Sequence, residues 1–462
     1  MSTDSSFERA KECFVLGNAA FESGQLIEAE RQFLESLRWL PGRPSTLSNL
    51  GATRIALGRH QEALEPLAQA LEGAPTDAQV WSKQGFALSC LGRLEEAQAS
   101  HARALEIDAG RVGDWVQRAL SLMGLKRHAE ALACLDQALK LRPDDAQLHY
   151  RKGQALILLQ RPPQALAALQ RAVQLDATLH QAWGDLGSLL SESGRHHEAL
   201  DAWQQALQHG GDQELLRYQM AGEQARLAAG LSASETPAHP PRAYVEQLFD
   251  DYAEGFDEHL TRLGYQAPKV LASGLGRLLS ARPGELATAG RGVFRHALDL
   301  GCGTGLCAAP LGPWTLRLTG IDVSAQMLEK AQALQRYDRL LQADLIEHLN
   351  TTPDRHDLVV AADVFVYVGA LEAVFAGVRR VIEPGGVFCF SVESIGDDRD
   401  YALLSSLRYG HSSRYLHHLA PMHGFELAQL RPGPLRHDEQ HAVSGLYAWC
   451  VATQETVSPR TE

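Results

Sequence analysis

One pattern of small and large apolar residues repeats every 34 residues through the first 211 residues. Glycine or alanine recurs in one column, and alanine recurs in a second column: Gly17, Gly51, Gly85, Ala119, Gly153 and Gly187, then Ala29, Ala63, Ala97, Ala131, Ala165 and Ala199. Small side chains at such points let two helices approach closely, and the large apolar residues between them fill the remaining space. The pattern therefore predicts six stacked helical hairpins.

The stretch "AWGDLGSLLSESGRHHEALDAWQQAL" and its five relatives resemble the tetratricopeptide repeat, in which Trp, Leu-Gly, Tyr, Ala, Phe, Ala and Pro stand at set offsets. Leucine replaces most of the tyrosines, and proline survives in only some units. The resemblance covers residues 10–211 and implies an α superhelical solenoid with a groove for a protein or peptide partner. The amphipathic "DQELLRYQMAGEQARLAAG" then predicts a capping helix, so we expect the repeat domain to span residues 1–230.

A change of composition marks the end of this domain. Small, polar and proline residues interrupt the helical periodicity over residues 231–241, which we interpret as a linker. Because a separate core is expected on each side of the linker, removal of residues 1–230 should leave the second domain able to bind its ligand.

Short apolar runs alternate with helical patterns beyond the linker. The runs "RHALDL", "LRLTGIDV", "HDLVVAADV" and "GVFCFSVE" predict buried strands, and the stretches between them predict helices. Alternation of this kind favours a parallel sheet with helices on both faces.

A glycine-rich turn follows the first of these strands, in "LDLGCGTG" at residues 298–305. In open α/β sheets, ligands bind at the carboxyl ends of strands, where backbone N–H groups and a helix N-terminus face the crevice. A dinucleotide site requires G-x-G-x-x-G/A, but Leu306 occupies the third small position and Gly305 comes one residue early. The spacing therefore disfavours a nicotinamide cofactor.

The G-x-G-x-G run after Asp299 resembles the S-adenosylmethionine loop of class I methyltransferases. The resemblance extends to Asp322, which lies 17 residues beyond Gly305 and would accept both ribose hydroxyls. It also extends to Met327 and Asp344, at family positions near the adenine, and to Asp363 at the end of the fourth strand. The cofactor-binding residues that it implies are Asp299, Gly301, Gly303, Gly305, Asp322, Met327, Asp344 and Asp363.

Later segments complete the resemblance. "VRRVIEPGGVFCFSVE" is similar to the family's approach to strand five, and "HGFELAQL" and "SGLYAWCVAT" are similar to its closing antiparallel hairpin. The implied fold for residues 242–462 is an α/β, Rossmann-like, seven-stranded methyltransferase domain. The pairing of repeats with such a domain resembles a group of predicted bacterial methyltransferases.

Composition narrows the functions further. With 43 Lys+Arg against 56 Asp+Glu, the net charge is −13, and a broad phosphate-binding face for nucleic acid is not expected. The seven cysteines form no CxxC pair, so we expect neither a disulfide framework nor a metal site. The sequence contains no run of 18 apolar residues and no evident signal peptide. We therefore expect no membrane span, and we expect the protein to be cytoplasmic.

The catalytic residues are harder to predict than the cofactor site. A methyl group on a sulfonium is already activated, so its transfer depends chiefly on position and orientation. One candidate is Tyr252, beside Phe256 in an aromatic helix that could cover the cofactor. If the acceptor requires a base, the candidates are His411, Tyr415 and Glu393. The acceptor, a small molecule or a protein, stays open. The alternative function is a non-catalytic repeat scaffold with a degenerate methyltransferase-like domain.

Overall fold

The computed structural model describes residues 3–227, 237–282, 284, 286, 293–438 and 441–453. Its contacts divide the chain into two compact units, Met1–Gly211 and Asp212–Glu462. The division therefore falls between Gly211 and Asp212 and not at residue 230. Residues 231–236 of the predicted linker lie outside the described residues.

The first unit consists of paired helices, which confirms the predicted tetratricopeptide solenoid. In the part of this unit that the structure describes, the helices are α1 (Thr3–Glu22), α2 (Leu26–Trp39), α3 (Pro44–Ala56), α4 (His60–Gly73), α5 (Ala78–Cys90), α6 (Leu94–Ile107), α7 (Val112–Gly124), α8 (His128–Leu141), α9 (Ala146–Leu158), α10 (Pro162–Leu175), α11 (His180–Glu192) and α12 (His196–Gln208). Each hairpin packs its small-residue column against a large buried side chain of its second helix. A Cβ atom added at Gly51, for example, would lie 2.5 Å from Cγ of Leu67.

The turn inside each hairpin requires a left-handed residue. In four units this residue is a glycine with φ between 72° and 75°: Gly24, Gly58, Gly92 and Gly194. In the other two units it is Lys126 (φ 59°) and Gln160 (φ 54°). This conformation lets the second helix turn back against the first.

The second unit surrounds one mixed sheet. Its described helices are α13 (Gln213–Leu227), α14 (Arg242–Tyr252), α15 (Phe256–Arg262), α16 (Ala267–Ala281), α17 (Ala308–Leu311), α18 (Ala325–Ala333), α19 (Leu345–Thr351), α20 (Glu372–Val381) and α21 (Ser413–Met422). Its strands are β1 (Ala297–Leu300), β2 (Leu318–Asp322), β3 (Arg339–Gln342), β4 (His356–Ala361), β5 (Ile382–Ser394), β6 (Tyr401–Leu403), β7 (Tyr409–His411), β8 (Phe425–Asp438) and β9 (His441–Ala452).

The sheet has the predicted seven strands and two more. Strands β3, β2, β1, β4 and β5 are parallel neighbours in that order, β9 pairs antiparallel with β5, and β8 pairs antiparallel with β9. The short hairpin of β6 and β7 extends the end of β5 through Glu393 and Ser394. The predicted fold class is confirmed, and the β6–β7 hairpin adds to it.

Alternate side chains of the central strands enter two separate cores. Val359 of β4 packs with Phe388 and Phe375 on one face, whereas Val360 packs with Cys389 and Trp449 on the other. A sheet buried on both faces is the arrangement that near-continuous apolar strands require. None of the described helices combines the length and apolar character needed to cross a bilayer.

Helix α13, predicted to cap the repeats, belongs to the second unit. Tyr218 is 1% exposed, and its ring lies 5.6 Å from that of Tyr244 and 6.4 Å from that of Tyr409. Its hydroxyl donates a hydrogen bond of 2.5 Å to the carbonyl oxygen of Leu407. A Cβ atom at Gly222 would lie 2.3 Å from Cδ2 of Leu407, so the glycine lets α13 approach that side chain closely. The buried tyrosine therefore attaches α13 to the turn between β6 and β7.

Candidate active site

A cavity of about 740 Å³ opens where β1, β2 and β4 end. This volume lies within the range of small-molecule sites. Of the predicted cofactor-binding residues, it brings together Gly301, Gly303, Asp322, Asp344 and Asp363.

The three glycines of the loop after β1 have left-handed backbones, with φ of 62°, 53° and 93° at Gly301, Gly303 and Gly305. A Cβ atom at Gly301 would lie 2.7 Å from Val364, and one at Gly305 would lie 2.8 Å from Leu334. At Gly303 nothing lies closer than the Phe256 ring at 3.9 Å. Gly301 and Gly305 therefore allow close packing, whereas Gly303 presents bare backbone to open space beside the cavity.

Asp322 ends β2 and fixes this loop. Its Oδ2 accepts a hydrogen bond from the Gly303 N–H (2.8 Å), and its Oδ1 accepts one from the Ser324 N–H (2.9 Å). Ser324 caps α18 and donates its hydroxyl to Oδ1 of Asp250 in α14 at 2.5 Å. Burial raises the pKa of Asp322, although these backbone N–H groups oppose the shift. The carboxylate is thus held rigidly at the cavity wall.

Asp299 has a different environment from Asp322. It is 1% exposed and is not among the residues that line the cavity. Its Oδ2 accepts a 2.7 Å hydrogen bond from the hydroxyl of Tyr337, and burial raises its pKa to about 7. Asp299 therefore supports the loop from behind through Tyr337, a residue that no motif in the sequence indicated.

Asp344 and Asp363 line the cavity from two further loops. Oδ1 of Asp344 caps α19 by accepting hydrogen bonds from two backbone N–H groups at 2.9 and 3.0 Å. Asp363 has a left-handed backbone (φ 60°), and its Oδ2 accepts a 2.8 Å hydrogen bond from Arg436. Oδ1 of Asp363 is buried without a hydrogen-bond partner among the described residues, so it remains available to a ligand.

Met327 is placed differently from the expectation for a residue near the adenine. Its side chain is fully buried in α18, and it is absent from the described cavity lining. Its backbone N–H donates to the hydroxyl of Ser324, the helix cap, at 3.1 Å. The side chain of Met327 is therefore part of the protein core and not of the cavity wall.

The catalytic candidates Tyr252, His411 and Tyr415 also lie outside the cavity lining. His411 is fully buried, its Nε2 donates to the Gly369 carbonyl at 2.8 Å, and burial lowers its pKa to about 4. The hydroxyl of Tyr415 accepts a hydrogen bond from the Leu371 N–H at 2.8 Å. Tyr252 is 38% exposed and packs edge-on against Phe256. These contacts give all three residues a structural role.

Aromatic side chains form a wall of the cavity that the sequence only partly indicated. The ring of Phe249 lies 6.2 Å from that of Phe256 and 5.2 Å from that of Tyr367, in edge-to-face contact. All three line the cavity. Phe249 and Phe256 could be found from helical spacing, whereas Tyr367 is brought to them by the loop after β4.

Residues from before α14 close another side. Ala238 and Pro240 line the cavity, and the Ala238 carbonyl accepts the Gly369 N–H at 2.8 Å. Glu214 of α13 and Arg408 of the β6–β7 turn line it as well. No local motif points to these residues, because each reaches the cavity through contacts between distant segments.

Comparison with known proteins agrees with this geometry. A family model described as a methyltransferase domain matches residues 298–390, and one described as a tetratricopeptide repeat matches residues 116–180. Methyltransferase-like protein 27 of Homo sapiens is 30% identical over 190 residues, which cover 39% of this chain and 72% of the human protein.

Two further relatives match shorter stretches. Ubiquinone biosynthesis O-methyltransferase of Klebsiella pneumoniae is 29% identical over 123 residues, covering 25% of this chain and 50% of that protein. Malonyl-[acyl-carrier protein] O-methyltransferase of Enterobacter lignolyticus is 33% identical over 98 residues, which cover 21% of this chain and 39% of that protein. The chain thus spans half or less of the length of these two relatives. It belongs to the methyltransferase family that includes the human protein, and it carries tetratricopeptide repeats in its first unit.

Proposed function

We propose that the second unit binds S-adenosylmethionine and transfers its methyl group to an acceptor that the repeats help to recruit. The observation that carries this proposal is the pair of hydrogen bonds from the Gly303 and Ser324 N–H groups to Asp322. It fixes a carboxylate and a bare glycine backbone side by side at one edge of a 740 Å³ cavity.

The residues of the cavity fit this cofactor. The open space beside Gly303 leaves room for a ligand against the backbone, and the lone pairs left on Asp322 can accept the ribose hydroxyls. Asp344, which also lines the cavity, would accept the adenine amino group, as the family resemblance implies. Oδ1 of Asp363 offers a third acceptor that lacks a partner among the described residues. An adenosyl group with a positively charged substituent matches carboxylates better than it would match a cationic wall.

When bound, S-adenosylmethionine supplies a methyl group activated by its sulfonium, so the protein's task is chiefly to position the acceptor in line. Phe249, Phe256 and Tyr367 would exclude water from the reacting groups, since their rings form a continuous edge-to-face wall. Arg436, which is 3% exposed, keeps the Asp363 carboxylate oriented through its 2.8 Å hydrogen bond.

The names of two relatives support oxygen as the accepting atom, because both are O-methyltransferases. The repeats support a protein or peptide as the recruited partner, since a solenoid presents an extended groove. We propose methyl transfer to oxygen, with the repeats choosing where the second unit acts.

The alternative is a scaffold whose second unit binds no cofactor. A scaffold would give no reason for the Gly303 backbone that faces open space beside the cavity, or for the buried Oδ1 of Asp363, which lacks a partner among the described residues. Isothermal titration of the full chain with S-adenosylmethionine separates the two functions. We expect a dissociation constant on the order of micromolar, and no heat at high-micromolar cofactor would favour the scaffold.

Substitution of Asp322 tests the carrying observation. Asp322→Ala should weaken cofactor binding by about 1–3 kcal/mol, roughly 5- to 150-fold, because charged hydrogen bonds are lost. Asp354→Ala is the matched control, since that carboxylate pairs with Arg339 and is 39% exposed. Equal dissociation constants for the two variants would remove Asp322 from the site.

A further inference from the structure

One repeat places a histidine where the other five place an apolar side chain. The large residue that packs on the small-residue column is His101 in the third unit, and its counterparts are Phe33, Leu67, Leu135, Leu169 and Trp203. His101 is 1% exposed. Because a buried polar group lowers stability unless it is hydrogen-bonded, its presence at a core position calls for an explanation.

The histidine belongs to a buried polar network. Its Nδ1 lies 2.7 Å from Oδ1 of Asp114, and Oδ2 of Asp114 accepts a 2.6 Å hydrogen bond from Nε of Arg111. Asp114 is 2% exposed, and Ser82 also donates to it. Burial opposes its ionisation, but the hydrogen bonds from His101, Ser82 and Arg111 prevail and lower the pKa of Asp114. The network therefore holds an ionised carboxylate that fixes Arg111.

Arg111 lies in a groove that crosses α3, α5 and α7. The groove has a volume of about 570 Å³ and is also lined by Lys83, Phe86, Gln117 and Arg142. Lys83 is half-buried, and its ammonium donates to the hydroxyl of Ser48 at 2.9 Å. Within the described part of the chain, neither Lys83 nor Arg142 forms an ion pair with a carboxylate. We call Lys83, Arg111 and Arg142 the basic groove.

We infer that the basic groove binds an acidic segment of a protein partner, and that His101 and Asp114 are its positioning residues. The inference rests on the proposed recruiting role of the repeats and not on methyl transfer. The three cations of the basic groove lie beside a single carboxylate, that of Asp114, which is buried and already paired with Arg111. The protein as a whole is acidic, with a net charge of −13. A half-buried ammonium that forms no ion pair is stabilised when a carboxylate reaches it.

A peptide suits the groove better than a nucleic acid does. Long polyanions would meet the acidic remainder of the protein, which repels them. A short acidic segment can reach the cations and place an apolar side chain on Phe86, which is 40% exposed. Gln117 adds an amide for the peptide backbone.

Fluorescence anisotropy of the full chain with fluorescein-labelled hexaglutamate tests this site. We expect saturable binding that weakens between about 50 mM and about 300 mM salt, because the contacts are ionic. Lys83→Gln with Arg142→Gln should weaken it about tenfold or more. Arg103→Gln with Lys140→Gln is the matched control, since both side chains are exposed outside the groove. Equal affinities for the two double variants, or binding of oligothymidylate in preference to hexaglutamate, would overturn the inference.

A second variant tests the positioning residues without emptying the core. His101→Leu with Asp114→Leu installs the apolar pair that the next repeat has at Leu135 and Leu148. We expect the melting temperature to be kept or raised, because an apolar pair replaces a buried ionic one. The hexaglutamate affinity should nevertheless fall about fivefold, since Arg111 loses its anchor. An unchanged affinity would show that the network is only structural.

Cofactor titration of the same samples keeps the two proposals apart. Loss of hexaglutamate binding with normal S-adenosylmethionine binding concerns the basic groove alone. Normal hexaglutamate binding without cofactor binding would overturn the proposed methyl transfer and leave the groove inference standing.

Discussion

The two units bury charged side chains through contacts of different range. In the repeats, Asp114 is held by His101, 13 residues away, and by Arg111, three residues away. In the second unit, Arg436 joins Asp363 and Glu393, which lie 73 and 43 residues from it. Local contacts form within one or two hairpins, whereas long-range ones require the complete sheet. A change in the repeats should therefore remain local, and a change in the second unit should spread.

The largest effect is expected where the predicted and observed boundaries differ. A fragment of residues 231–462 lacks α13 and uncovers the site of Tyr218 beside Tyr409. Loss of a buried aromatic side chain typically lowers stability by about 3–5 kcal/mol. We expect this fragment to unfold at a correspondingly lower urea concentration than a fragment of residues 212–462.

A point substitution separates packing from hydrogen bonding in that experiment. Tyr218→Phe in the 212–462 fragment removes only the hydrogen bond to Leu407 and should lower the free energy of unfolding by about 1 kcal/mol. If the two fragments were equally stable, α13 would add no stability to the second unit.

The range of the contacts also explains how much could be predicted from the sequence. The repeats were predictable because each of their contacts recurs every 34 residues. The strands and the glycine loop were predictable because each is a continuous stretch of sequence. The role of α13 was missed because apolar residues at helical spacing do not say which surface a helix covers, and those of Gln213–Leu227 do not form one distinct apolar face.

The residues of the candidate site likewise divide into those that the sequence indicated and those that only the packed fold brings together. Asp322 and Gly303 lie together as the strand ends suggested, and their hydrogen bond follows from two adjacent parallel strands. Tyr337, which supports Asp299 from 38 residues away, has no sequence signal because only the packed fold brings the two together. Met327, expected near the adenine, is buried and is absent from the described cavity lining, because sequence alone does not show which side of its helix faces the core.

An acid titration should show a global response in the second unit. Burial lowers the pKa of His411 to about 4, below the value of about 6.5 expected when the chain is unfolded. The unfolded chain therefore binds more protons between these values, so the stability that the neutral ring contributes is present above pH 6.5 and is lost as pH falls towards 4. The full loss is about 3 kcal/mol.

His411→Gln checks this response, because glutamine keeps a donor for the Gly369 carbonyl and does not titrate. We expect urea unfolding of the variant to lose about 3 kcal/mol less than that of the unchanged chain between about pH 7 and pH 4. The offset between the two proteins should be constant above pH 7. Parallel pH profiles throughout would mean that protons reach His411 in the folded state.

The smallest predicted effect is that of Gly51→Ala, in a comparison that adds one methyl group to each unit. A Cβ atom at Gly274 would lie 1.9 Å from the ring of Trp449, which is fully buried and donates to the Leu271 carbonyl. Because this ring cannot move aside, Gly274→Ala should lower the free energy of unfolding by about 1–3 kcal/mol. Gly51→Ala should change it by less than about 1 kcal/mol, since the gain in helix propensity offsets a shift of Leu67. Ala119 already occupies the same column in the fourth repeat. Calorimetry of both variants decides the matter: an equal loss from Gly51→Ala would mean that the repeats are packed as tightly as the sheet and that their contacts are not more tolerant.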